Sequence, residues 1–168
     1  MEWLKRWWPA LAWAVAISGF STGVFTMEHT SRIIIPILHW LLPHAANATL
    51  ARIHYGIRKI AHFTEYFILS LLVLRGIRAG RPGTRFAWAL VVVAIVACYA
   101  SLDELHQRFV PGRTAAVADV LIDTSGGIAA QAVAALAMLL GHVRERRKLE
   151  SAEALRDPSG ISTRTPGS

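Results

Sequence analysis

FAWALVVVAIVACYASLDELHQRF, residues 86–109, decides how the chain folds. Phe86 to about Leu105 is apolar for about 20 residues, the length a helix needs to cross hydrocarbon at ~1.5 Å per residue. Its far end then carries two acids, a histidine and a glutamine within five positions. Working outward, similar runs occupy about Ala115 to Leu140 and Trp7 to Met27. A shorter one, Ile60 to Leu74, lies between Arg58-Lys59 and Arg75, whose aliphatic stems let their charges reach the interfaces. With 54% hydrophobic and only 17% charged residues among 168, the chain is more apolar than a soluble domain. The reading is an all-α integral membrane bundle of four transmembrane helices. The first run lacks a small-x-small cleavage site after a short core, so it reads as an uncleaved span.

Residues 33–42, IIIPILHWLL, are too few to cross and are interrupted by Pro36. Within the outer connection 28–59 they read as a re-entrant or interfacial segment. A crossing here would invert every later orientation. Cytoplasmic loops collect Lys and Arg, and cations beside positions 5–6, 75–85 and 144–148 outnumber those on the other side. This predicts a multi-pass membrane protein with cytoplasmic termini. The tail 142–168 is basic and ends in a Pro, Ser, Thr and Gly-rich stretch, which predicts disorder.

The net charge of +7 sits at span edges and in the tail, which favours anionic lipid headgroups over nucleic acid as partner. The single cysteine, Cys98, is expected to be a small packing residue. Trp3, Trp7, Trp8 and Trp13 read as an interfacial belt, and His29, His39, His44 and His54 as solvated or interfacial.

Ionisable residues inside spans carry the functional signal, because a charge facing lipid at mid-bilayer costs roughly 2.5–3.5 kcal/mol. Lys59, His62, Glu65 and Tyr66 share a helical face. Asp103 and Gln107 are four apart with Glu104 beside them, and Asp119 and Asp123 are four apart on the next span. In the four-span topology all three sets meet at one outer layer, over which the Pro111-Gly112 turn would hold Arg113. Gly126 and Gly127 allow close helix contact. The plain alternatives are a His62–Glu65 pair closing the bundle, Lys59 as an anchor, and Asp119 and Asp123 offsetting a helix dipole. HxxE without a second histidine pair or cysteines does not make a metal site, and no phosphate loop or dinucleotide fingerprint is present. No metal and no cofactor are expected.

KIAHFTEYF at 59–67, SLDELHQRFVPGR at 101–113 and DVLIDTSGG at 119–127 together resemble the VanZ-like family of small bacterial membrane proteins, over roughly residues 54–140. The family pattern carries over onto Lys59, His62, Glu65, Tyr66, Asp103, Glu104, Gln107, Arg113, Asp119 and Asp123. Asp123 stands where the family often has asparagine. The resemblance implies a cell-envelope role, since the founding member is linked to low-level resistance to the antibiotic teicoplanin, and leaves the biochemical activity open. Three readings follow. In the first, Lys59, Arg113, Tyr66, Gln107, Asp119 and Asp123 bind a lipid-linked or cell-wall-related anionic molecule, with His62, Glu65, Asp103 and Glu104 as candidate acid–base groups. In the second, the cluster is structural and the protein is a non-enzymatic scaffold or shield. A transporter ranks third, because the inner half of the bundle lacks ionisable residues. Oligomeric state is open.

Overall fold

The computed structural model describes residues 2–21, 27–82, 85–110 and 116–156. These form five α-helices: α1 Glu2–Phe20, α2 Met27–Leu41, α3 Asn47–Arg78, α4 Phe86–Gln107 and α5 Val117–Arg156. Three are long and apolar enough to cross a membrane: Asn47–Arg78, Phe86–Gln107 and Val117–Glu153. The described part of α1 falls outside that group, since Lys5 and Arg6 open it and several of its large residues are tryptophans with polar ring N–H groups. It still packs as a bundle member, with Ala10 and Ile17 buried.

The α3–α5 seam is the most extensive contact and α4 packs mainly on α5. Tyr66, Leu69, Val73 and Leu74 of α3 meet Val92, Val96 and Ala100 of α4 and Ala134 of α5 in one apolar core. Lipid tails are as apolar as these side chains, so close approach and hydrogen bonds hold such a bundle. The glycine pair makes that approach possible. A Cβ on Gly126 would run into the Phe63 carbonyl, and one on Gly127 would lie 2.8 Å from Val96 Cγ1. Near the other end Gly76 seats Trp7, whose ring atoms lie 3.0 Å from where a Cβ would be. In the middle of the seam Ser70 Oγ donates to Gly127 O (2.9 Å) and Gln131 Nε2 donates to Ser70 Oγ (2.7 Å).

Several expectations need correction. Residues 47–59, read as part of an extended connection, are the first turns of α3, held by the buried Leu50 and His54. His54 is therefore not solvated; it is buried, with Nε2 3.2 Å from Thr30 Oγ1. The apolar segment 33–42 is largely α2, a 15-residue helix that keeps Pro36 inside it and spans only about 22 Å at ~1.5 Å per residue. Residues 142–156, expected to be disordered, continue α5, because Arg, Lys, Glu, Leu and Ala are strong helix formers. Cys98 is exposed on the outside of α4. The tryptophans divide: Trp3 and Trp8 are exposed, while Trp13 Nε1 donates to Glu65 O at 2.9 Å.

Candidate functional site

Motif residues from α3, α4 and α5 meet at one end of the bundle. On α5, Asp119 pairs with Lys59 of α3, whose ammonium also lies 4.8 Å above the Tyr55 ring. One turn further along both helices, His62 Nδ1 lies 3.7 Å from Asp123 Oδ1 and 4.0 Å from Glu65 Oε2. The next residue inward on this face is Tyr66, fully buried, its ring 6.2 Å from that of Tyr99. Tyr99 in turn donates to Ala14 O at 2.6 Å, so α1 backs the site.

From α4, Asp103 Oδ2 accepts hydrogen bonds from Ser21 Oγ at 2.6 Å and Gln107 Nε2 at 2.8 Å. Glu104 carboxylate accepts the backbone N–H of Ala116, just before α5 begins. All three α4 residues are buried. Each of these acids is thus satisfied by neutral donors or, for Asp119, by a cation, as groups held away from water require. Asp123 differs. It is 2% exposed, and its Oδ1, like the Tyr66 hydroxyl, has no hydrogen-bond partner among the described residues.

Nine of the ten residues singled out from the sequence therefore sit in this layer; Arg113 lies outside the described residues. Three participants were missed. Ser21, from the end of α1, caps Asp103, while Arg58 and Thr30 line a cleft of about 220 Å³ together with His62 and Glu65. Arg58 Nη1 donates to Thr30 Oγ1 at 3.4 Å. Arg58 had a signal, because it stands four residues before His62 and so on the same helical face. Ser21 and Thr30 had none, since their roles depend on how α1 and α2 pack. Among the described residues, no group of three or more His, Cys, Asp or Glu is arranged to hold a metal ion.

What the fold and site define is a class: an all-α bundle of apolar, membrane-length helices with a buried polar layer at one end. The VanZ/LLP1 family model matches residues 7–139, and the chain belongs to that family. No curated protein and no solved structure matches it.

Proposed function

We propose that this protein is a cell-envelope membrane protein whose polar layer faces the outer leaflet and binds or acts on an anionic, lipid-linked or cell-wall-related molecule. In this reading α1 supplies the fourth crossing, both termini are cytoplasmic, the membrane is the bacterial inner membrane, and membrane lipids are the surrounding partner. A contribution to glycopeptide resistance of the teicoplanin type is the physiological extension of this reading.

The observation that supports it most is the meeting of an open cleft with a polar interior. Arg58, His62 and Glu65 line the cleft, and Asp123, 3.7 Å from His62 Nδ1, keeps a carboxylate oxygen without a described hydrogen bond. A buried acceptor without a partner costs roughly 1–3 kcal/mol, which a ligand bringing a donor recovers. Arg58 stands one turn nearer the helix start than His62, where a guanidinium suits a phosphate or carboxylate. Lys59, expected to meet the anion directly, is engaged by Asp119; Arg58 is assigned that role here because it lines the cleft itself. His62, Glu65 and Asp123 then handle protons and hydrogen bonds at the first linkage below the headgroup.

The structural reading is favoured by a different observation: Asp103, Gln107, Glu104, Lys59 and Asp119 satisfy one another or the backbone. We assign these residues to holding the walls. Native mass spectrometry of the protein in nanodiscs distinguishes the roles. Arg58→Gln and His62→Ala should each reduce retained anionic lipid at least fivefold in folded protein. Unchanged retention in both variants refutes the ligand site.

A further inference from the structure

The cleft beside His62 has walls that a water-soluble ligand does not need. Phe20 of α1, Ile34 of α2, and Ile57 and Ala61 of α3 supply its apolar lining, and Thr30, Arg58, His62 and Glu65 its polar one. Ligand sites are built in this manner, mostly apolar with a few placed polar groups. Here the arrangement is directional: Arg58 and His62 are four residues apart on α3, about 6 Å along the axis, with Ala61 between them. Outside the cleft, α2 presents Ile33, Ile37 and Trp40 away from the bundle, all more than half exposed. An apolar face of that kind belongs in acyl chains rather than water. A bilayer around α2 would put acyl chains beside the cleft that α2 walls.

We infer that the cleft between α2 and α3 holds one hydrocarbon chain of the anionic amphiphile, which reaches the polar layer sideways from the membrane. This rests on the ligand reading above and adds the class of ligand and its route. The charge fits: a phosphate at Arg58 leaves its chain to run past Ile57, Ala61 and Ile34. The size fits one chain only. At roughly 30 Å³ for each water-sized group, about 220 Å³ takes about seven such groups. A lipid with two chains would leave the second in the bilayer.

The test uses two photoreactive probes in nanodiscs containing the full chain: dodecyl phosphate and dodecanol, each with a diazirine about six carbons from the polar end. Labelled sites are mapped by peptide mass spectrometry. Both probes should label residues of the cleft, the phosphate at least fivefold more than the alcohol. Ala61→Trp and Ile34→Trp, which fill the cleft from α3 and α2 and leave the polar residues themselves unsubstituted, should each cut labelling at least fivefold. If both probes label the cleft equally and the tryptophan variants abolish both, the chain site stands and the headgroup reading fails. If phosphate labelling survives both tryptophan variants, or maps to the outer face of α4, the chain site is refuted. The headgroup reading is then judged by Arg58→Gln alone.

Discussion

Two buried aspartates, twenty residues apart in the chain, share one layer of the bundle and behave in opposite ways. Asp103 has its carboxylate held by Ser21 and Gln107. Asp123 is buried more deeply, yet its Oδ1 bonds to nothing described and lies 3.7 Å from Nδ1 of the His62 ring. A satisfied polar group in a low-dielectric interior rigidifies its surroundings, whereas an unsatisfied one stores a cost that a bound molecule can remove. The lesson is that charge at one depth does not imply one role. The Asp103 side ties α1, α4 and the start of α5 together, and the Asp123 side is the one that the proposed function assigns to a ligand.

The strongest way to break this contrast is to pull the helices apart. Gly126→Leu drives a branched side chain into the Phe63 backbone, so α3 and α5 can no longer meet and both aspartates lose their surroundings. The variant should fail to give a monodisperse species in detergent, as size-exclusion chromatography would show. Next in size is Asp103→Ala, which removes the acceptor of Ser21 Oγ and leaves Gln107 Nε2 only its longer bond to Ser21 Oγ. A loss of about 1–3 kcal/mol is expected, read as a lower detergent melting temperature.

Asp123→Asn sharpens the contrast from the other side. It replaces a buried ionisable group and removes no described hydrogen bond, so melting should be unchanged or rise while retained anionic lipid falls. A melting loss equal to that of Asp103→Ala would erase the distinction between the two acids. The Lys59–Asp119 pair lies between these extremes. Both side chains are about one-fifth exposed, and a double-mutant cycle with Lys59→Met and Asp119→Leu should return a coupling of about 0.5–1.5 kcal/mol. Cys98→Ser, on the exposed face of α4, should shift stability by less than about 0.5 kcal/mol.

Much of this contrast was not legible beforehand, for physical reasons. The runs 86–105 and 115–140 announce themselves because hydrocarbon demands length and apolarity, and the helices confirm them as membrane-length segments. The three polar motifs could be brought to one end by following the helices. The start of α3 was hidden, because residues 47–59 mix Asn, Thr, Arg, His and Tyr and bury only a few of them. Local composition then reads as loop, although packing against α2 makes helix. The tail's helix was hidden by its charge, which suggests disorder and equally suits a solvated helix. Within the site, spacing put Asp103 and Asp123 on the same footing. Ser21, from a helix more than eighty residues earlier, separates them, and no periodicity reports a contact of that range.

The most direct test is a density map of the protein purified with its native lipids, inspected around Asp123 Oδ1 and the Tyr66 hydroxyl. The account predicts a bound group within about 3 Å of Asp123 Oδ1, continuous with chain density in the cleft lined by Ile34 and Ala61. A map in which Asp123 instead bonds directly to a protein side chain, with no density in the cleft, would contradict it.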